Sequence, residues 1–410
     1  MSYTIAGIDV HKKLLMVVVL DVECLEQPPD RGRFGTTASE LQRLIVWLQE
    51  REVQEAVMES TAQYWKPIWY ALEGQVQLHL AQAFSNRAPR GRKRDFRDAE
   101  RLVRRLVAQE LFLSFVPAPE QRGWRTMTRM KTQLARDRVR LHSQLEGLLE
   151  EMRIKLSSVI TDLFGVSGLR ILSAVAAGQT DPQQLAELGD DRLKCTREQL
   201  IDALTGKAEA MHQQLLALYR ERLPVIDQQM EKLNRMIAQA MQPHEDAVVR
   251  LAEATGFGVD AAQQVIAEVG PQASTFHSAA QLSSWAGTCP GKQESAEQNS
   301  SSRSAKGNKY LRRVLTEVAQ AAVKTKGSHY QIVFRRLLPR LGYKQALWAV
   351  VHRLCRMVWK ILHDGLRFVE QSTQRDPKAA TQRAKTLTRA LRRLGYKVHI
   401  TPVTPAPAEG

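Results

Sequence analysis

The sequence predicts an α/β domain followed by a mostly helical remainder. Near the N-terminus, short apolar runs rich in β-branched residues alternate with segments of helical periodicity. Beyond residue 118 the pattern is helical with charged flanks, and beyond residue 243 it is helical but interrupted by glycine turns. We therefore divide the chain into residues 1–118, 119–243, 244–370 and 371–410, of which the last is a basic polar tail.

Five strands and three helices are predicted in residues 1–118. YTIAGIDV and LLMVVVLDV read as two strands of a hairpin, and RGRFGTT reads as a third strand. There follow, in order, the helix SELQRLIVWLQE with Ser39 as its N-cap, the strand VQEAVMES, the helix AQYWKPIWYALEG, the strand VQLHLAQ and a helix beginning near Arg94. The helical aromatics are assigned to the core: Tyr64, Trp65, Trp69 and Tyr70. Three consecutive strands followed by this alternation predict a mixed sheet with helices packed on it.

Residues 119–243 are predicted to form two long helices joined by several short ones. A partial heptad-like stripe runs along the first long helix, which predicts a coiled-coil arm, and its members are Met127, Met130, Leu134, Leu141, Leu145 and Leu148. The second long helix is predicted within residues 208–241.

Residues 244–370 are predicted to be mostly helical, with a serine-rich stretch between SAAQLSSWAGTCPG and KYLRRVLTEVAQAAVKTK. This stretch contains Ser295, Ser300, Ser301, Ser302 and Ser304. Its composition is typical of a flexible linker, so most of these serines are interpreted as spacers. In the tail, residues 386–401 predict a short helix–strand unit.

The charge balance favours a polyanionic partner. The chain has 59 Lys and Arg against 43 Asp and Glu, which gives a formal net charge of +16, and such an excess suits nucleic acid. No apolar run approaches the length needed to span a bilayer, and the N-terminus lacks the pattern of a signal peptide. The four cysteines are widely spaced without a CxxC pair, which favours a reducing cytoplasm over a disulfide framework or zinc site.

Four acidic residues are placed where two-metal phosphodiester chemistry would need them. Asp9 ends the first predicted strand, Glu59 ends the fourth, and Asp95 and Asp98 lie three apart on one helix face. Hard divalent cations such as Mg²⁺ prefer carboxylate oxygens. Nine basic residues in nineteen positions surround the last two and would hold a phosphate backbone nearby: Arg87, Arg90, Arg92, Lys93, Arg94, Arg97, Arg101, Arg104 and Arg105.

Each carboxylate also has a structural interpretation. Asp9 at a strand end is a common turn former, Glu59 suits a helix cap, and Asp95 and Asp98 suit a solvated, salt-bridged helix. His11, beside Asp9, reads as a turn residue rather than a ligand. The residues alone therefore support a basic nucleic-acid-binding protein with a candidate metal site.

Several motifs together resemble a known family. GIDVHK with Asp9, MEST with Glu59, and RDFRDAERL with Asp95 and Asp98 look like the motifs of the DEDD transposases of bacterial insertion sequences. The likeness continues through DLFGVSG, ALTGKAEAMHQQLLAL, GFGVDAAQQVIAEVG, LSSWAGTCPGKQESA and AKGNKYLRRVL. It covers nearly the whole chain except the final forty or so residues.

The resemblance implies a RuvC-like, RNase H-type N-terminal domain, a coiled-coil middle and a C-terminal transposase domain. It implies that Asp9, Glu59, Asp95 and Asp98 bind Mg²⁺, and that Ser295 attacks DNA and becomes covalently joined to it. The implied partners are double-stranded donor and target DNA and a noncoding bridge RNA that pairs with both. The implied assembly is a homotetramer, a dimer of dimers in which carboxylates and serine come from different subunits, acting in the cytoplasm at the nucleoid.

Ser295 is also distinguished from the other serines by its position. It follows closely after Trp285, Gly287 and Pro290, a segment that packing is expected to hold, and in-line attack needs such an anchored nucleophile. Gly307 is expected to permit close backbone approach. The predicted nucleic-acid contacts are Arg92, Lys93, Arg94, Arg97, Arg303, Lys306, Asn308, Lys309, Arg312 and Arg313.

Two alternatives to a recombinase stay open at this point. A RuvC-like, metal-dependent nuclease of the Holliday-junction type would use the carboxylates and release free DNA ends without serine chemistry. A coiled-coil regulatory protein would bind nucleic acid and use the carboxylates only structurally. The loop after Ser295 departs from the family pattern, because Glu297 and QNSSSRS stand where several basic residues are usual.

Overall fold

A computed structural model of the protein describes residues 3–24, 26–60, 62–86, 95–290, 293–295, 298–301 and 304–370. Its contacts divide into two compact units, Met1–Ala118 and Pro119–Gly410. The helix–strand unit predicted for residues 386–401 lies outside the described residues. Within the described ranges, none of the helices has the length and apolar character that a membrane span requires.

The first unit is a five-stranded mixed sheet with helices packed on it. Its strands are β1 (Thr4–Val10), β2 (Leu14–Asp21), β3 (Asp30–Gly35), β4 (Val53–Glu59) and β5 (Gln77–Ala81). Its helices are α1 (Ala38–Gln49), α2 (Trp65–Leu72) and α3 (Asp95–Val107). The order is β3-β2-β1-β4-β5, with β2 antiparallel to β1 and β3, and β4 parallel to β1 and β5. The predicted α/β class with a mixed sheet is confirmed.

Side-chain alternation along the central strands gives the sheet two distinct faces. On one face, Ile8 and Met58 pack with the buried apolar residues of α1 and α2. On the other face, Ile5 and Val57 pack with residues of α3 that include Leu102. From Ile5 in β1 and from Glu55 in β4 onward, odd-numbered positions therefore face α3. This decides where the carboxylates at the strand ends point.

Helix α3 lies in close contact with β1 at Gly7. A Cβ atom built on Gly7 would lie 2.1 Å from the carbonyl oxygen of Ala99 and 2.9 Å from a methyl of Val103. Only a residue without a side chain permits this contact, because the Ala99 carbonyl belongs to the helix backbone and cannot rotate away.

We expect Gly7→Ala to lower the free energy of unfolding by about 1–3 kcal/mol, because the added methyl overpacks the α3–β1 contact. The measurement is urea unfolding of the full chain. Gly147→Ala is the matched control: Gly147 lies in a helix where an added Cβ would have nothing within 4 Å, so alanine there should stabilise by about 0.5–1 kcal/mol. Equal midpoints for Gly7→Ala and the unsubstituted protein would contradict the close contact.

In its described residues, the second unit is helical apart from one short hairpin. Its first part contains α4 (Pro119–Glu151), α5 (Leu156–Val159), α6 (Val166–Ala176), α7 (Pro182–Ala186), α8 (Arg197–Leu204) and α9 (Ala210–Ala240). Its second part contains α10 (Glu245–Ala252), α11 (Val259–Val269), α12 (Ala279–Ala286), β6 (Gln293–Ser295), β7 (Gln298–Ser301), α13 (Lys309–Lys324) and α14 (His329–His363). Helix α14 is kinked at Gly342, which has a φ of 73°.

Helices α4 and α9 lie antiparallel. The Trp124 indole donates to the Ala240 carbonyl at 3.2 Å, while Arg138 pairs with Asp227 at 3.0 Å further along both helices. Leu141, near the middle of this pair, is fully buried. The two long helices are thus confirmed, whereas knobs-into-holes coiled-coil packing stays a prediction.

Four local predictions were wrong for reasons of helix geometry. The residue before α1 is Thr37, not Ser39, and Glu40 instead reaches back to accept from the Gly35 amide at 2.8 Å. Tyr64 and Tyr70 are 40% and 51% exposed, because α2 turns Ile68, Trp69 and Leu72 toward the core. Met130 is 55% exposed, because the buried stripe of α4 passes through Thr128 and Thr132 instead.

Candidate active site

The ends of β1 and β4 bring two of the predicted carboxylates to one edge of the sheet. Ile8 pairs with Met58 in the parallel register, so Asp9 and Glu59 follow at the adjoining carboxyl ends. Both occupy odd-numbered positions and therefore lie on the face that α3 covers. This is the placement that the sequence pattern predicted.

Helix α3 carries a third carboxylate to the same face. Asp98 is 6% exposed and directly precedes Ala99, the residue whose carbonyl touches β1. Asp98 Oδ1 lies 2.7 Å from Nη2 of Arg101, one helical turn further on. The close contact at Gly7 thus fixes how far Asp98 lies from the end of β1.

A hydrogen-bond chain connects Asp98 to Glu59. Arg101 Nε donates to both the main-chain oxygen and Oδ1 of Asn86 at 3.2 Å, and Asn86 Nδ2 donates to Oε2 of Glu59 at 3.2 Å. Asn86 is buried, at the end of a single 3₁₀ turn, Ala83–Asn86. No role for Asn86 was predicted from the sequence, and Arg101 was counted only among basic residues, although its i,i+3 spacing from Asp98 was a usable signal.

His11 lies in the turn between β1 and β2, where its amide donates to the Leu14 carbonyl at 2.9 Å. That agrees with a turn residue. Its Nε2 is nevertheless 3.1 Å from Oδ2 of Asp9, whose side chain is only 16% exposed. His11 is therefore a direct neighbour of the candidate site.

The donor set fits a hard divalent cation. Asp9, Glu59 and Asp98 supply carboxylate oxygens on one face, which is the ligand type that Mg²⁺ prefers. Asp95 begins α3, and its side chain lies outside the described part of the structure. Among the side chains that are described, no three His, Cys, Asp or Glu are grouped as a metal site. The Arg101 guanidinium is the cation that offsets the charge of Asp98 in this arrangement.

Ser295 ends β6 of a short antiparallel hairpin, where it pairs with Gln298 of β7. Ser300 and Ser301 belong to β7, so the run contains extended structure, while the role of these two residues as spacers stays a prediction. The run is polar without an alternating apolar face, which is why its pattern did not predict strands. The side chains of residues 291–303, including that of Ser295, lie outside the described part of the structure.

The base of this serine loop is closed by two glycines. A Cβ on Gly307 would lie 2.3 Å from the carbonyl carbon of Ala286 and 2.4 Å from the amide nitrogen of Gly287. Gly287 has a φ of 70°, and its own Cβ would lie 2.7 Å from the Ala305 carbonyl oxygen. This close backbone contact between Gly307 and Gly287 joins the two ends of the loop that carries Ser295.

Helix α14 contacts the same loop base through Cys355 and His352. The buried Cys355 thiol has a pKa raised to about 11 by desolvation, against the opposing effect of hydrogen bonds with Thr288 and Ser283. Burial also lowers the pKa of His352, which is hydrogen-bonded to the Thr288 backbone. Both groups are uncharged at neutral pH, so they anchor Thr288 without adding charge beneath the loop.

A buried carboxylate that was not predicted from the sequence fixes the start of α13. Glu268 is 2% exposed and accepts from Nε and Nη2 of Arg129 at 2.8 and 2.9 Å. Its Oε2 also accepts from Nδ2 of Asn308 at 2.7 Å. Asn308 Oδ1 in turn caps α13 by accepting from the amides of Tyr310 and Leu311. Arg125 Nε lies 3.4 Å from Glu268 Oε2. We call this set the Glu268 cluster: Glu268, Arg125, Arg129 and Asn308.

The predicted nucleic-acid contacts fall into three groups. Those outside the described residues are Arg92, Lys93, Arg94 and Arg303. Those exposed to solvent are Arg97, Lys306 and Lys309. The others have structural contacts: Asn308 caps α13, Arg312 donates to the Ala305 carbonyl at 2.9 Å, and Arg313 pairs with Glu317 at 2.9 Å. Local contacts of this kind hold the basic end of α13 in place beside the serine loop.

Comparison with known families gives two matches. A model described as the transposase IS116/IS110/IS902 family matches residues 249–332, which include the serine hairpin and the start of α13. A DEDD transposase model of the IS110 type matches residues 6–154, which include all four predicted carboxylates. Together the two matches cover more than half of the 410 residues. No curated protein matches the chain significantly.

Proposed function

Because this chain belongs to the IS110 family of DEDD transposases, enzymes of insertion sequences that cut and rejoin DNA, we propose that it acts through a covalent phosphoserine intermediate formed by Ser295. The observation that carries this proposal is the closed base of the serine loop. Gly287 and Gly307 join its ends, and the Glu268 cluster fixes the adjoining start of α13. A loop anchored in this way can hold a nucleophile in line with a phosphate.

The proposed chemistry is transesterification. The Ser295 hydroxyl oxygen forms a bond to a DNA phosphorus, the phosphorus–oxygen bond to the neighbouring sugar breaks, and the serine proton passes to solvent as the sugar oxygen gains one. A hydroxyl of another DNA strand later attacks the phosphoserine and restores the serine. The number of phosphodiester bonds is conserved, so no external energy source is required. Lys306 and Lys309, both exposed at the start of α13, are proposed to hold the phosphates.

The carboxylates are proposed to hold the divalent cation that the family implies, with Mg²⁺ as the expected ion. Asp9, Glu59 and Asp98 would be its ligands, together with Asp95. When bound, the cation supplies charge stabilisation to phosphate oxygens. Asn86 and Arg101 hold Glu59 and Asp98 through hydrogen bonds of 2.7–3.2 Å, which keeps both carboxylates at the α3 face.

The proposed partners are double-stranded donor and target DNA and a bridge RNA encoded by the element. The family membership supports the DNA, and the motif resemblance together with the net charge of +16 supports the RNA. A homotetramer acting at the nucleoid in the cytoplasm completes the proposal. The test of RNA guidance is the rate of strand exchange after RNA that co-purifies with the protein is removed and then added back. A full rate of strand exchange without RNA would contradict guidance by RNA.

Ser295→Ala should abolish the covalent protein–DNA adduct, because alanine has no hydroxyl to form the phosphoester. The measurement is adduct formation on labelled donor DNA under denaturing conditions, with DNA and RNA binding measured in parallel and expected to change little. Ser300→Ala is the matched control in the same hairpin and should form the adduct normally. An adduct from Ser295→Ala would refute the assignment, and free DNA ends produced at the normal rate would favour the metal-dependent nuclease instead.

A further inference from the structure

A cleft beside the second half of α14 is not used by either candidate site. It has a volume of about 480 Å³ and lies within the second unit. Its lining combines basic side chains with apolar and aromatic ones: His329, Tyr330, Arg353, Arg356, Met357, Lys360, Ile361, Leu366, Arg367, Phe368 and Val369. We call this site the α14 cleft.

One side of the α14 cleft is a row of cations. Arg353, Arg356 and Lys360 are spaced three and four residues apart, so they lie on one face of α14. Arg353 donates to the Ala349 carbonyl at 3.0 Å. In the part of the chain that the structure describes, none of these three cations forms an ion pair with an acidic side chain. Such a row attracts an anion.

The carboxylates near the cleft are already engaged. Glu253 accepts from Arg367 at 3.0 Å. Glu370 accepts from the His329 amide at 2.6 Å and from the Thr255 hydroxyl. In the described residues neither of these two carboxylates pairs with the row of cations on α14, which leaves that row to a ligand.

The floor of the cleft is apolar. Met357, Ile361 and Phe368 form it, and the Tyr330 hydroxyl donates to the Met357 sulfur at 3.1 Å, which holds the floor in shape. A simple phosphate would use the cations and leave this floor in water. A planar ring with a phosphate attached would use both parts of the cleft.

We propose that the α14 cleft binds an unpaired nucleotide of a nucleic-acid strand, with the base against Phe368 and Met357 and its phosphates on Arg353, Arg356 and Lys360. A duplex fits less well, because its bases are stacked inside and only its phosphates would reach the cleft. The tail is also a poor occupant, since residues 371–410 contain eight Lys and Arg against two acidic residues. This inference rests on the proposed function only in taking nucleic acid as the partner.

The test compares binding of fluorescent single-stranded RNA, single-stranded DNA and duplex DNA to the full chain by anisotropy over a range of salt concentrations. Arg356→Ala/Lys360→Ala should weaken single-strand binding and lower the slope of log affinity against log salt by about 1.4, or 0.7 for each lost phosphate contact. Phe368→Ala should weaken single-strand binding about 5- to 150-fold, the range for loss of one stacked base. The RNA and DNA arms identify which strand is preferred.

Arg335→Ala/Arg336→Ala is the matched control, since it removes the same charge from exposed positions of α14 outside the cleft. It should leave the preference for single strands unchanged. Equal losses from the two double variants, or an unchanged affinity in Phe368→Ala, would overturn the proposal. Ser295→Ala is expected to bind the single strand normally, so failure of the serine assignment and failure of the cleft give different results.

Discussion

Asp9→Asn should lower the rate of DNA strand cleavage by at least about a hundredfold, while folding and DNA binding are retained. Mutating a residue that only hydrogen-bonds to a metal ligand typically lowers metal affinity or activity by up to about a hundredfold. Removing the charge of a ligand itself should lower activity by more than that. Asparagine keeps the size and one acceptor oxygen of Asp9 but not its negative charge. The measurement is the single-turnover cleavage rate on donor DNA with saturating Mg²⁺.

Asp21→Asn is the control for this prediction, because Asp21 also ends a strand of the same sheet. Asp21 accepts from the Glu23 amide at 3.0 Å, which is the contact of a turn former, and asparagine can preserve it. We expect its cleavage rate to stay near that of the unsubstituted protein. Stabilisation of the protein by Mg²⁺ or Mn²⁺ in thermal unfolding gives a second readout, which Asp9→Asn should reduce. Full cleavage by Asp9→Asn would leave Asp9 with only a structural role.

The first unit was predictable because local pattern and long-range structure agree there. The adjacent apolar runs of β1 and β2 predict a hairpin, which the structure contains. The ends of β1 and β4 bring Asp9 and Glu59 to the same edge of the sheet. Alternation along each strand then decides that both face α3. The pattern did not reveal Asn86, since its contact with Glu59 joins residues 27 apart through a single 3₁₀ turn.

The second unit was harder because its decisive contacts are remote in sequence. Glu268 lies in a helix where a glutamate ordinarily faces water, and its partner Arg129 is 139 residues away. The serine hairpin lacks apolar alternation, and its base depends on the approach of Gly287 to Gly307. Periodicity describes one element at a time, so it cannot identify a buried pair formed by two elements.

Glu268→Ala should lower the free energy of unfolding by about 3–5 kcal/mol, the usual cost of removing one partner from a buried ion pair. The most direct effect would be on Arg125, whose largely buried guanidinium would lose its counter-charge. Burial lowers the pKa of Arg125 to about 10 while Glu268 opposes that change, so its guanidinium is charged at neutral pH and depends on this carboxylate. Asn308 Nδ2 would also lose its acceptor at the start of α13. The measurement is urea unfolding of the full chain.

Glu253→Ala provides the matched control, because Glu253 pairs with an Arg367 side chain that is 66% exposed. Exposed pairs of this kind contribute about 0–1 kcal/mol. Glu268→Gln separates charge from shape, since it keeps an acceptor for Asn308 but leaves Arg125 and Arg129 without a counter-charge. A loss of less than about 1 kcal/mol in Glu268→Ala would equal the contribution of an exposed ion pair. That result would contradict the role of the Glu268 cluster in anchoring α13. A large loss in both Glu268 variants would show that burial of the Arg125 guanidinium depends on the negative charge of Glu268.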